Sequence, residues 1–193
     1  EHRLHHGLKH GDQLYAGLWG SGFAIIDIKD IRHPKTLSHY DPHPEAKEPS
    51  HTLMRVPFQI GGRDIAIGTD EERSHRGPDQ GQPHAPLYVF DVGDLNEMKL
   101  LSTFHVPEEA SPYNAPHMRF GAHQFREQLD DTRVFVTWFA AGLRIIDIAN
   151  PEQPEEVGFF IPEPGRGTDA PQTNDVEFDH RGLVYITDKA RGF

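Results

Sequence analysis

Residues 14–44, LYAGLWGSGFAIIDIKDIRHPKTLSHYDPHP, return at residues 134–164 as VFVTWFAAGLRIIDIANPEQPEEVGFFIPEP, a shift of 120 positions without a gap. Identical pairs include Gly22/Gly142, Ile25/Ile145, Ile26/Ile146, Asp27/Asp147, Pro34/Pro154 and Pro42/Pro162, and Tyr15/Phe135 and Trp19/Phe139 keep their aromatic character. A repeat of this length means that the chain is assembled from copies of one supersecondary unit. Weaker copies lie at 64–70 with 87–92, interrupted by an insertion, and at 183–193.

Each copy consists of short runs of β-branched and aromatic residues separated by Gly, Pro, Asn and Asp, which is the pattern of strands and turns. In the copy around residue 140, GAHQF, RVFVTWF, LRIIDI and EEVGFFIP are four such runs. No window carries the i, i+3, i+4 apolar stripe of a helix. An all-β fold is expected, a β-propeller of four-stranded antiparallel blades. A β-sandwich accounts for the strands but not for the 120-residue echo. Strands are predicted near 13–19, 23–29, 64–70, 87–92, 133–139, 143–149 and 183–188. The blades fall at about 5–41, 51–107, 121–162 and 174–193 within a single domain, roughly three and a half in all. That count predicts further blades, from a longer chain or from another copy, to close the ring.

The 193 residues include no cysteine, which excludes disulfides and thiolate chemistry. A net charge of −11 argues against nucleic acid or an anionic membrane surface as a partner. No apolar run is long enough to span a bilayer. Nucleophile elbows, phosphate-binding loops and dinucleotide fingerprints are absent from the sequence.

The segments LYAGLWGSGFAIIDI, VFVTWFAAGLRIIDIANPEQPEEVGFF and PQTNDVEFDHRGLVYITDKARGF resemble the LVIVD-repeat proteins, a group of bacterial and archaeal β-propellers. The resemblance implies the propeller fold and says little about activity. LVIVD proteins are distantly similar in architecture to the selenium-binding-protein group, which includes a copper-containing methanethiol oxidase. That likeness of architecture transfers no residue roles.

The chemistry is sought among the 14 histidines. His33, His39, His43, His75, His84 and His105 lie beside prolines or in turn-like sequence and are expected in surface loops. A second set begins the innermost strand of each unit: His5 and His6, then His51, then His123, then Asn174 with Asp175. Inner strands line the channel of a propeller, so equivalent residues form a ring about its axis. Imidazoles and a carboxylate there suit a divalent transition metal such as Zn, Fe, Cu or Mn. The candidate ligands are therefore His5, His6, His51, His123 and Asp175, with His117 on the loop entering the third unit. Such a metal would act on a small-molecule substrate, and its binding would weaken as pH falls through about 6.5. A non-catalytic propeller presenting its loops to proteins or to a cell-surface polymer is the competing reading.

Asp27, Asp91, Asp147 and Asp188 recur at strand ends and are expected to accept backbone N–H bonds in the following turns. Trp19 and Trp138 are expected to pack between blades. The insertion EERSHRGPDQGQPHAP, 71–86, reads as a long exposed loop.

Overall fold

A computed structural model describes residues 2–73, 84–114 and 118–192, with the side chain of residue 2 left aside. The predicted strands appear with small changes at their ends. Strands β1 (His2–His10), β2 (Gln13–Trp19), β3 (Phe23–Asp27) and β4 (Lys35–Tyr40) form one antiparallel meander. A second comprises β5 (Ser50–Ile60), β6 (Arg63–Asp70), β7 (Leu87–Asp91) and β8 (Lys99–Phe104). Next come β9 (Arg133–Thr137), β10 (Leu143–Asp147) and β11 (Glu155–Phe160), with Phe125 bridging Val136 where an inner strand belongs. Strands β12 (Thr173–Phe178) and β13 (Val184–Asp188) pair with each other. The chain is all-β and propeller-like, with one short 3-10 turn at Glu108–Ala110 among the described residues.

Neighbouring blades touch at a repeated point. Trp19 bridges Ser50, and Phe139 bridges Thr173. Both aromatics have positive φ, 56° and 27°, although neither is glycine. The same backbone turn thus pairs the end of each second strand with the first strand of the next blade before the chain returns into its own third strand.

Burial follows the two-residue period of a strand. In β6, Ile65 and Ile67 enter a core shared with Phe120, Val134, Val136 and Trp138, while Ala66 faces a core holding Tyr15, Phe23, Ile25 and Leu53. In β7, Val89 joins the first core, and Tyr88 and Phe90 join the second. Blade two is therefore covered on both faces, which is why its strands alternate between two kinds of apolar residue instead of apolar and polar. Trp138 is fully buried in the first core, as its sequence position led us to expect.

The repeated aspartates build corners. Asp27, Asp91 and Asp147 each accept the backbone N–H two residues on, from Lys29, Gly93 and Ala149 at 2.9, 2.9 and 2.8 Å. Asp188 accepts from Ala190 at 2.8 Å and from Gln172 at 2.5 Å.

The repeated glycine has an equally local cause. Gly22 and Gly142 have φ of 72° and 78°, and an added Cβ would meet the carbonyl oxygens of Tyr40 and Phe160 at 2.1 and 2.4 Å. We expect Gly142→Ala to destabilise the fold by roughly 1–3 kcal/mol, since it combines left-handed strain with a backbone clash. Urea denaturation of the two proteins measures this; equal midpoints would contradict it.

Candidate metal centre

The register of the inner strands brings one residue from each blade to a common place. Ser50 pairs with Asp70 and Thr52 with Thr69, leaving His51 as the bulged residue between them. Thr173 pairs with Asp188 and Asp175 with Thr187, leaving Asn174 in the same position. His123 donates its backbone N–H to Thr137 O, and Thr137 returns a bond to Gln124 O. In β1 the irregularity falls between His2 and His6, with His6 opposite Gly17. The equivalent residues are thus His5, His51, His123 and Asn174. The register shifts at His51 and Asn174 turn these side chains away from those of their strand neighbours.

The joint between blades is repeated too. Thr69 Oγ1 donates to His123 O at 2.6 Å, and Thr137 Oγ1 donates to Asn174 O at 3.0 Å. At the equivalent Gly17, a Cβ would lie 2.0 Å from His51 O. Each inner-strand residue is held by the preceding blade, so the ring's spacing is set by backbone and not by loops.

Three of these rings pack in a row. His5 and His51 have centroids 4.4 Å apart, as do His51 and His123. Trp19 stacks on His5 at 4.5 Å with planes 9° apart, and Phe139 lies 5.0 Å from His123. Trp19 is therefore a wall of this site, beyond the packing role expected of it.

Glu71 sits at the centre. The Nε2 atoms of His5 and His51 are each 3.9 Å from its Oε2, and His123 Nε2 is 3.7 Å from Oε1. The ligating atoms of His5, His51 and Glu71 all lie within 4.8 Å of one another. Arg119 donates to Glu71 Oε1 at 2.5 Å, and its guanidinium lies 3.8 Å over Phe139. Glu71 was hidden in the sequence because it heads the polar insertion 71–86 and reads as loop. Strand pairing places it at the register of Trp19 and Phe139. Extending the 120-residue alignment through blade two would have found it.

The hydrogen bonds fix the imidazole tautomers. Gln124 Nε2 donates to Phe125 O and Glu127 Oε1, both at 3.1 Å, so its Oε1 is an acceptor. Thr52 Oγ1 gives its only proton to that oxygen at 2.8 Å. His51 Nδ1, 2.6 Å from Thr52 Oγ1, must then be the donor. His123 Nδ1 faces Asn174 O at 2.5 Å, and a carbonyl can only accept. In both neutral rings the proton is on Nδ1, and the Nε2 lone pair points at a carboxylate.

Burial keeps those rings neutral. Desolvation, aided by the neighbouring His123, pushes His51 down to about 2. His123 is lowered to about 4 by desolvation, against the pull of Glu71. His5 is lowered too, again by burial first. Its side chain is 26% exposed, compared with 6% for His51 and 10% for His123, so the cluster opens to solvent on the His5 side.

Other expected residues have different carboxylate or backbone partners, although the His6 ring lies 5.9 Å from that of His51. His6 Nε2 is 2.9 Å from Glu127 Oε1. Asp175 accepts the N–H of Val176 at 2.8 Å, and its carboxyl is raised by desolvation. His117 and His75 are outside the described residues, as is most of the 71–86 insertion. His84 is not a free surface residue: its nitrogens lie 2.7 Å from Glu72 and 3.0 Å from Glu108.

Comparison with known proteins agrees with the fold. Residues 134–161 match the family model of the LVIVD repeat, within the segment whose resemblance was read from sequence. A hypothetical selenium-binding protein from Sulfolobus tokodaii superposes with a TM-score of 0.60 at 14% identity, over 96% of this chain and 46% of its own. A chain from the complex of KlAtg21 with the coiled coil of AgAtg16 gives 0.59 at 12% identity, over 97% and 53%. The chain thus spans about half the length of these two structures, and at such identities the likeness is one of fold. No curated protein matches the chain. No helix among the described residues is long and apolar enough to cross a membrane.

Proposed function

We propose that this chain is a metal-binding propeller, with a divalent transition ion held by Nε2 of His5 and His51 and by the Glu71 carboxylate. His123 joins from the other carboxylate oxygen. One observation carries the reading: two imidazoles whose Nδ1 protons are committed elsewhere turn bare Nε2 lone pairs toward a carboxylate. Lone pairs facing an anion repel it, and a cation between them turns that repulsion into ligation. Thr52 and the Asn174 carbonyl serve as the outer partners that orient metal-ligating imidazoles. Nitrogen and oxygen donors without thiolate suit Zn, Fe, Cu or Mn.

A ligand set that is buried at His51 and open beside His5 matches the catalytic type of centre, which keeps a coordination position for substrate. When bound, the ion supplies Lewis acidity toward a small organic substrate or activates water or oxygen. Trp19 and Phe139 wall the site with aromatic surface, and Arg119 holds Glu71 in place.

The test is elemental analysis by plasma mass spectrometry of protein purified without an immobilised-metal column. About one transition ion per chain is expected. Protein that stays metal-free after dialysis against Zn, Mn, Fe(II) and Cu(II) in turn would defeat the proposal and favour a non-catalytic scaffold.

A further inference from the structure

A second ring of side chains accompanies the imidazoles, contributed by the ends of the second strands. Glu71 donates its backbone N–H to Pro49 O at 2.8 Å, and Lys189 donates to Gln172 O at 3.1 Å. In each case the acceptor precedes the first paired residue of an inner strand, Ser50 opposite Asp70 and Thr173 opposite Asp188. Lys189 is therefore the fourth blade's counterpart of Glu71, in the ring that Trp19 and Phe139 complete.

The Lys189 ammonium lies 5.4 Å from the centroid of Phe139, whose ring is 5.0 Å from that of His123. Arg119 covers the same phenyl ring, and Arg3 lies 5.9 Å over Trp19. Arg119 is committed to Glu71 and to Glu72 O. Lys189 is exposed, and its ammonium makes no hydrogen bond or ion pair among the described residues. Arg119 repels it and Glu71 attracts it.

Other charges nearby are engaged elsewhere. Glu127 pairs with His6, Glu72 with His84 and two backbone N–H groups, and Asp188 with Gln172 and Ala190. Arg73 lies 3.8 Å from Glu48, and the charges acting on Asp175 are Glu177 and His6. With the imidazoles neutral, Glu71 is the acid of the ring, set against Arg119, Lys189 and the ion.

A divalent ion adds repulsion to a lysine that Arg119 already repels. An anion shared by the lysine and the ion turns both repulsions into attraction. We infer that the substrate of this centre is a small organic carboxylate, its acid group held by the Lys189 ammonium beside Phe139. The inference rests on the metal reading and adds to it the charge of the substrate. A neutral or cationic substrate would leave the positive side chains around the ion without a counter-charge. Lysine, a flexible point charge with three donors, suits an acid group arriving from solvent.

Calorimetric titration of the Zn-loaded chain with benzoate and with benzamide, its uncharged analogue, tests this, with metal content measured on the same samples. We expect one benzoate per chain and benzamide at least about tenfold weaker. Lys189→Met should weaken benzoate about fivefold, the upper end for a solvent-facing ion pair, and Lys189→Glu roughly twenty-fivefold, because it doubles the change in charge. Lys189→Arg should stay close to the unaltered chain. All three variants should keep about one ion and an unchanged circular dichroism spectrum, since Lys189 is exposed. A chain that takes up no ion defeats the metal reading and this inference with it. One ion per chain with no benzoate binding at millimolar concentration, with benzamide binding as tightly, or with benzoate affinity unmoved in Lys189→Glu would overturn this inference alone.

Discussion

His51→Ala is expected to take the metal content from about one ion per chain to none, and Glu71→Gln to do nearly the same. The two substitutions remove different things. His51 is the most enclosed of the three imidazoles and lies between the rings of His5 and His123. Without it the remaining donors cannot share one ion. Glu71→Gln keeps shape and a carbonyl oxygen but loses the charge that a divalent ion needs, and Arg119 is left facing an amide. Each of the four ligands lost from such a site costs about 2.5–4 kcal/mol of affinity, on the order of a hundredfold to several hundredfold, given total binding energies of about 10–16 kcal/mol. The fold should survive, because Thr52 keeps its bond to Gln124 and the blade joint at Thr69 and His123 O is backbone-anchored. Some stability is lost all the same, about 1–3 kcal/mol, since His51 is buried and its removal leaves a cavity. Metal stoichiometry together with circular dichroism decides the matter. A folded His51→Ala protein that still holds one tightly bound ion would place the metal elsewhere.

How far the sequence led can be judged residue by residue. The strands were legible because the 120-residue echo fixes their phase, and each IIDI segment carries the aspartate that ends its strand and caps the next turn. The ring of inner-strand residues was legible for the same reason. Between His5 and His6 the sequence offered no choice, because the β-bulge that selects one of them is a tertiary feature set by pairing with the neighbouring strand. Asn174 and Asp175 posed the same problem, and there the bulge sends the amide residue, not the acid, to the ring position. Glu71 was missed because composition describes an insertion as a whole, whereas its first two residues are structural. Glu72, 4% exposed, accepts the backbone N–H groups of Phe120 and Gly121 at 2.9 and 2.8 Å. His84, read as a loop residue beside proline, is bracketed by two glutamates from distant segments that no local pattern could announce.

Acid should destabilise the metal-free protein over a range set by its buried imidazoles, and Asp70 should mask part of the effect. His51 and His123 have their ordinary value of 6.5 when unfolded, and about 2 and about 4 when folded, chiefly through desolvation. Between pH 6.5 and pH 4 the unfolded chain takes up two protons that the folded one refuses. Stability then falls with pH by about 1.4 kcal/mol per unit for each ring. Below pH 4 His123 no longer contributes, and His51 alone continues the loss toward pH 2. Asp70 acts in the opposite sense, because burial raises its carboxyl from 3.8 to about 7. From pH 7 down to 3.8 the folded state binds a proton that the unfolded state does not, which offsets one imidazole. The net loss from pH 6.5 to pH 5 is therefore about 2 kcal/mol, a large share of a marginal stability of about 5–15 kcal/mol. In Asp70→Asn the offset vanishes, and the slope over that interval should roughly double. Urea denaturation at half-unit pH intervals measures both slopes, and a stability independent of pH between 6.5 and 5 in either protein would refute the assignment. The same burial moves the pH window of metal release. An exposed imidazole site surrenders its ion as pH falls through 6.5, but rings held neutral by burial meet proton competition only at lower pH. The loaded protein should accordingly keep its ion at pH 5.5 and release it as the pH approaches 4.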